Sequence, residues 1–225
     1  NAGEMDLGMA MNNVAANAFA GTGAFNAPVT NVSSIGVVYN EVYQIVANAK
    51  TGAKNVEDLK GLTMAVGPAG SGTVGLTEKV LAAAGLDIDK DIKRQSDSFG
   101  DAATKMQDGH IDAAANVLAV PASSIIEMAT VMNIAYVDIS DEILATIQAS
   151  EPYFVRKVIP AGTYKDQAED INTITCKAAL YCRADLDEET VYQITKAMYE
   201  TNAEVAAAHA TGKETQREGA LEGLP

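Results

Sequence analysis

Short apolar runs alternate with Ala-rich stretches of helical spacing along most of the chain, and Gly or Asn stands at many of the switches. Asp6–Met11 reads as a strand, with Asn12 and Asn13 opening a helix over Val14–Ala20 that Gly21 closes. Ile35–Tyr39 and Val42–Ala47 are rich in Val, Ile and Tyr and read as two strands. Glu57–Gly61 is a tight helical turn, and Leu62–Val66 is a continuous apolar strand of the kind covered on both faces. After the loop Gly67–Thr73, Val74, Leu76, Val80 and Leu81 give a helix to Ala84 its inner face, and Gly85 ends it.

The same alternation continues with a strand at Ile92–Gln95, a helix at Phe99–Gln107 and a strand at Ile111–Val117. A helix starting near Pro121 runs to about Met132, followed by a strand at Asn133–Ile139. Ile171–Tyr181 is the longest predicted strand and Glu188–Ala208 the longest predicted helix. Strands alternating with helices predict an α/β fold with mainly parallel sheets flanked by helices. No repeat or low-complexity linker interrupts the pattern, so two lobes would be joined by strands crossing between them.

Composition narrows the function classes. A chain of 225 residues can bury a sizeable core, as one large domain or two modest lobes. The formal net charge of −14 repels phosphate backbones and anionic lipid, which makes nucleic acid a poor partner. No Trp is present and aromatic residues are 5% of the chain, which disfavours a stacking platform for single strands. No apolar run approaches the ~20 residues of a membrane span. Cys176 lies on the longest predicted strand and Cys182 just past its end, six positions or roughly 20 Å of extended chain apart, beyond disulfide reach. They read as small buried hydrophobes.

Gly67-Pro68-Ala69-Gly70-Ser71-Gly72-Thr73 is the sharpest candidate for chemistry. It lies between a strand and a helix, where unpaired amides and the positive end of the helix dipole converge. Gly70 and Gly72 allow close backbone approach, and Ser71 and Thr73 add hydroxyls, giving a neutral cradle for a carboxylate. A nucleotide loop needs Lys after its last Gly; here Thr73 stands there. The alternative is a Gly-rich turn in which Ser71 only caps the helix. Asn12 and Asn13 at a strand-to-helix switch, Asn116 closing a strand, and Tyr39 with Glu41 are further candidates to face a ligand. His110 and His209 fall in no metal or triad motif, and Asp87, Asp89 and Asp91 lack the Gly and Glu of a calcium loop. No catalytic residue, metal site or cofactor is assigned.

The order of these pieces resembles a known family. Asp6-Leu7-Gly8 with Gly21 comes first, then Tyr39-Asn40-Glu41, then Val56–Gly61 leading into Val66–Thr73. Asp108-Gly109-His110-Ile111-Asp112-Ala113 precedes Val120-Pro121, and Ile159-Pro160-Ala161-Gly162-Thr163-Tyr164 follows late. This is similar to the TAXI solute receptors of tripartite ATP-independent periplasmic (TRAP) transporters, on the type II periplasmic binding-protein fold. The resemblance implies two lobes, residues 1–47 with 172–225 and residues 48–171, closing on a ligand in the cleft between them through hinges near Asn48 and Thr173. It implies a periplasmic or lipid-anchored extracytoplasmic monomer that passes glutamate, 2-oxoglutarate or a similar carboxylate to TRAP permease subunits.

Against the family pattern the chain lacks the first strand with its Gly-rich loop and stops before the closing segment. Met11-Asn12-Asn13 stands where members carry Gln-x-Asp, which removes a carboxylate. Two other classes remain in view. One is an enzyme on the same scaffold, such as a small-acid dehydratase, with Glu41 as its titratable group. The other is a secreted interaction or immunogenic protein with a degenerate cleft.

Overall fold

The computed structural model describes residues 4–208 and 210–225, with side chains except at 202, 208 and 210; His209 lies outside the described residues. In chain order the elements are β1 (Leu7–Met11), α1 (Asn12–Ala20), β2 (Val32–Asn48), β3 (Thr63–Ala65) and α2 (Gly72–Ala83). They continue with β4 (Lys93–Gln95), α3 (Phe99–Gln107), β5 (Ala113–Leu118), α4 (Ser123–Val131), β6 (Ile134–Val137) and α5 (Asp141–Gln148). The last are β7 (Val155–Ile159), β8 (Ile171–Arg183), α6 (Glu188–Glu200) and α7 (Asn202–Ala208). Ser71, Ser98, Ser140 and Asp187 cap α2, α3, α5 and α6, each accepting from a first-turn amide.

Two compact units divide the chain, residues 1–41 with 176–225 and residues 42–175. The sequence reading put these passages at 47/48 and 171/172. Both passages fall inside β2 and β8, so no turn or Gly marks them in the sequence.

In the first unit β1 pairs antiparallel with β8, from Leu7 opposite Cys182 to Met11 opposite Ala178. The Val37 amide donates to the Ala220 carbonyl at 2.7 Å, and the Tyr199 hydroxyl donates to the Val37 carbonyl at 2.9 Å. The C-terminal segment is thereby tied to the first half of β2. Ala15, Ala179 and Tyr181 form a small core with Phe19, Val32 and Leu224 against it.

In the second unit the second half of β2 pairs antiparallel with β5 and, from Ile45, with β6. β3 lies parallel between β5 and β4, and β7 runs antiparallel to the first residues of β8. Val42, Val46, Ala65 and Ala114 meet Ala102 and Met106 of α3 and Ile125 and Met128 of α4 in the main core of this unit. The Tyr43 hydroxyl on the opposite side of β2 donates to Thr77 of α2 at 3.0 Å, and Thr77 donates to the Val66 carbonyl at 3.2 Å. α2 therefore covers the face that α3 and α4 leave open.

The fold class is α/β as expected, but the sheet is mixed rather than mainly parallel. Only the β3–β4 and β3–β5 ladders among those described are parallel; the ladders made by β1, β6 and β7 are antiparallel. The long strands β2 and β8 carry the chain between units, and neighbours joined to them by other routes pair in the opposite sense. Three further differences are local. β2 is one strand of 17 residues, because the polar Asn40 and Glu41 find partners beside it instead of turning the chain. The predicted helix 188–208 breaks at Thr201 (φ −105°, ψ 19°), separating α6 from α7. α5 and β7 lie in a stretch the sequence reading left unassigned.

Candidate functional site

β3 and β5 are parallel neighbours, and the chain leaves them for opposite faces of the sheet: β3 leads to α2, β5 to α4. Open α/β sheets bind ligands at such a switch, beyond the carboxyl ends of the diverging strands. Here Gly67–Thr73 follows β3 and residues 119–122 follow β5, one strand spacing (about 4.8 Å) apart at the sheet.

The Gly67–Thr73 loop is shaped by its first residue. Gly67 has φ +111°, and a Cβ there would stand 2.8 Å from both Cβ and Cγ2 of Thr73 and 3.3 Å from Oγ of Ser71. The loop folds back on itself at Gly67, which sets Thr73 against it. The Ser71 amide donates to the Pro68 carbonyl at 3.0 Å, closing a turn, and Gly70 takes φ +74° within it. The Ser71 hydroxyl accepts from the Val74 amide at 3.4 Å, which leaves its own proton to donate outward. Thr73 is 4% exposed, and its hydroxyl takes part in none of the hydrogen bonds among the described residues. The first-turn amides of Gly72 and Thr73 have no intrahelical acceptor by geometry. These groups are donors without formal charge at the start of α2.

β5 contributes the second group. Its sequence Ala113-Ala114-Ala115-Asn116-Val117 is buried, and Asn116 is the one polar residue in it, 2% exposed. Continuing the register two residues beyond Ala65 opposite Ala114 sets Asn116 level with Gly67. The side chain of Asn116 enters no hydrogen bond among the described residues.

Gln44, Tyr164 and Ala122 form a hydrogen-bonded group beside β5. Gln44 stands opposite Asn116 across the β2–β5 ladder and is 4% exposed. Its Oε1 accepts from the Tyr164 hydroxyl, and the same hydroxyl accepts from the Ala122 amide at 3.0 Å, at the start of α4. Tyr164 stacks on Tyr136 with centroids 5.6 Å apart. Burial holds the Tyr164 phenol above its ordinary pKa, so it stays a neutral donor. α4 has no side-chain cap, and Ser124 Oγ in its first turn is buried without a partner. Tyr164→Phe removes one hydroxyl and strands two buried groups. It is expected to cost about 2 kcal/mol, read as a Tm roughly 4–8 °C lower by calorimetry.

The first unit holds the remaining residues read from the sequence. Asn12 is not a free cap. It is the first residue of α1, fully buried, and its Oδ1 accepts from the amides of Asn13 (3.0 Å) and Lys177 (3.1 Å). Its Nδ2 donates to the Gly223 carbonyl at 2.9 Å, so the amide clamps three segments of this unit together. Asn13 is 6% exposed, and its Oδ1 is buried with no partner. The Tyr39 hydroxyl donates to Glu41 at 2.9 Å. Burial, and then the Glu41 charge, push the Tyr39 phenol up to about 12. Burial also raises the Glu41 carboxyl, more than the Tyr39 hydrogen bond lowers it. A separate cavity of about 380 Å³ lies against β1 and α1, but residues such as Met9, Val14, Phe19 and Val32 give it an apolar wall unsuited to an anion.

Ser71, Gly72, Thr73, Gly70 and Asn116 thus gather in the second unit, while Asn12, Asn13 and Tyr39 belong to the first. Gln44 and Tyr164 were missed, because a hydrogen bond spanning 120 positions leaves no mark in local pattern. Among the described residues no group of three His, Cys, Asp or Glu side chains is placed to hold a metal ion. No described helix is long and apolar enough to cross a membrane. His110 is exposed, and Cys176 and Cys182 are both buried and not joined in a disulfide.

A family model described as the NMT1-like family matches residues 1–225. The chain belongs to the NMT1-like family. The motif order had resembled the TAXI receptors, and the two readings meet at the level of the periplasmic binding-protein fold. This NMT1-like chain is similar to the periplasmic aliphatic sulphonate-binding protein SsuA of Escherichia coli, at 19% identity and TM-score 0.51, covering 100% of this chain and 64% of that one. It is also similar to the periplasmic sulfonate-binding protein SsuA of Methylobacillus flagellatus KT (16% identity, TM-score 0.52, 91% of this chain and 53% of that one). A protein of Bordetella bronchiseptica RB50 matches at 19% identity and TM-score 0.52, over 98% of this chain and 61% of that one. The NMT1-like chain therefore has the periplasmic binding-protein fold and spans less than two thirds of these relatives' length.

Proposed function

We propose that this chain is an extracytoplasmic solute receptor, not an enzyme, that binds a small carboxylate and delivers it to a membrane permease. The observation that carries this reading is the neutral donor set at the switch of the second unit. Ser71 and Thr73 hydroxyls and the Gly72 and Thr73 amides point no formal charge at the ligand, and no carboxylate of the loop opposes it. An anion at a helix N-terminus is favoured by the unpaired amides and by the dipole together. Neutral donors hold an anion firmly when the pocket is dry, and they let it go when the pocket opens to water. That reversibility suits a carrier. In the first unit Asn13 Oδ1 is a buried acceptor without a partner, which could take a bond only from a donor group of the ligand and not from its carboxylate.

Glutamate, 2-oxoglutarate and their kin are the ligands we favour, and a TRAP-type permease the partner, both on the TAXI-like order of motifs. The enzyme alternative rests on Glu41, whose carboxyl is engaged by Tyr39 and has no matched acid or base in the motifs. A second reading of the ligand comes from two of the similar proteins, described as sulfonate-binding, since the same donors also suit a tetrahedral oxyanion.

Calorimetric titration with carboxylates and sulfonates of matched chain length tests the proposal. Carboxylates are expected to bind at least roughly 10-fold tighter, about 1.4 kcal/mol. The reverse order would transfer the ligand to the sulfonate class. Turnover of a bound compound would revive the enzyme, and no binding by either class would leave only the interaction-protein reading.

A further inference from the structure

We infer that residues 214–224 are an edge guard: they occupy the free edge of β2 in the first unit and keep it from adding a strand of a second copy of this chain. The inference is independent of the ligand reading above.

β2 is an edge strand over its first half. β5 and β6 pair with it only from Val42 and Ile45 onward, so among the described ladders residues 32–41 have β8 alone beside them. Backbone groups there find partners of another kind. The Val37 amide donates to the Ala220 carbonyl at 2.7 Å, and the Asn40 amide donates to Glu214 Oε2 at 2.7 Å. The Val38 carbonyl accepts from the Thr215 hydroxyl at 2.8 Å, and the Val37 carbonyl from the Tyr199 hydroxyl at 2.9 Å. Three of these four partners are side-chain atoms, which ends the sheet there instead of continuing it.

The fit is built into both sides. Asn40 Nδ2 donates to the same Glu214 oxygen at 2.8 Å, Lys177 Nζ lies 3.4 Å from Glu222, and Asn12 Nδ2 donates to the Gly223 carbonyl. β2 carries Gly36 where the cover comes nearest. A Cβ there would run into the Tyr199 hydroxyl and lie 3.2 Å from the Ala220 carbonyl. Apolar anchorage is slight by comparison, since residues 216–219 are exposed and Leu221 is 70% exposed. The hold is chiefly polar.

The sequence of the edge shows why it needs a cover. Residues 32–40 contain no Lys, Arg, Asp, Glu or Pro, the residues that ordinarily blunt an edge strand. A bare neutral strand rich in Val and Ile adds another strand through main-chain bonds, and a second copy brings the same neutral, strand-prone segment. The net charge of −14 opposes the approach of two copies, but physiological salt screens it beyond about 8 Å. Charge alone does not protect the edge.

Sedimentation and amide exchange of the full 225-residue chain at about 0.15 M salt test this. Glu214→Leu with Thr215→Val removes two of the side-chain partners, and valine keeps the shape of the buried Thr215. The unmodified chain is expected to sediment as a monomer with the Val37 and Asn40 amides protected. The double variant is expected to exchange both amides at least about 10-fold faster when dilute. It is expected to dimerise as concentration rises, with both amides protected again in the dimer. Glu214→Gln keeps the acceptor and is expected to behave as the unmodified chain. Should the double variant not fold, Glu214→Leu alone gives the same two readings. Unchanged exchange would overturn the hold assigned to residues 214 and 215. A variant that exchanges fast yet stays monomeric would overturn the need for a guard. Association that leaves both amides fast would place the contact elsewhere and sink the inference as well.

Discussion

Replacing Gly67 by valine is expected to abolish ligand binding and to cost the second unit about 3 kcal/mol of stability. Two effects add at this position. The backbone sits at φ +111°, a region closed to residues with a Cβ, and an L side chain forced there carries strain of about 1–3 kcal/mol. The new Cβ would also stand 2.8 Å from Cβ and Cγ2 of Thr73, well inside van der Waals contact. Thr73 is buried in the first turn of α2, and no χ1 rotation moves its Cβ, so the side chain cannot turn away from the clash. The first turn itself must move, and with it the Thr73 hydroxyl and the amides of Gly72 and Thr73. Calorimetry would read a Tm lower by roughly 6–12 °C, and titration a loss beyond 100-fold. Gly70→Ala separates the two effects. Its φ of +74° is strained for alanine too, but no heavy atom lies within 4 Å of the added Cβ. A cost of about 1 kcal/mol with only a few-fold loss of affinity is expected there. Equal damage from both substitutions would mean that strain, and not the fit against Thr73, holds the cradle.

The loop was legible because its chemistry is local. Glycines where positive φ is needed, Ser at the cap and an apolar strand before it are all visible within ten residues. α5 carried the same kind of signal, with Ser140 before Asp141 and Glu142 and buried Ile143, Leu144 and Ile147 at helical spacing, and it was legible though unread. The break at Thr201 was not, because neither Gly nor Pro marks it. Strand direction was hidden for a different reason. A buried strand shows the same apolar run whichever way its neighbour points, so the antiparallel partners of β2 and β8 had no signature. The asparagines divide along the same line. Their places at strand ends were visible, but whether an amide is spent depends on distant chain. Asn12 is consumed by Lys177 and Gly223, and Gln44, opposite Asn116, by Tyr164.

Removing both hydroxyls of the cradle, by Ser71→Ala with Thr73→Val, is expected to weaken carboxylate binding by about 2–4 kcal/mol, some 30- to 1,000-fold. The two substitutions differ in what else they change, and that difference makes the test sharp. Ser71 caps α2 through the Val74 amide, so its loss is expected to cost about 1 kcal/mol of stability as well. The Thr73 hydroxyl makes no hydrogen bond among the described residues, and valine keeps its shape against Gly67. Thr73→Val alone is therefore expected to leave Tm within about 2 °C while losing roughly 10-fold or more in affinity. If the loop is only a turn, Ser71→Ala lowers stability and neither substitution moves the titration. If it is a cradle, the stability loss follows Ser71 and the affinity loss follows both. An anion held by neutral donors should also bind with little dependence on salt beyond screening of the protein's own negative charge. A steep loss of affinity between low and physiological ionic strength would point instead to a cationic contact outside the groups assigned here.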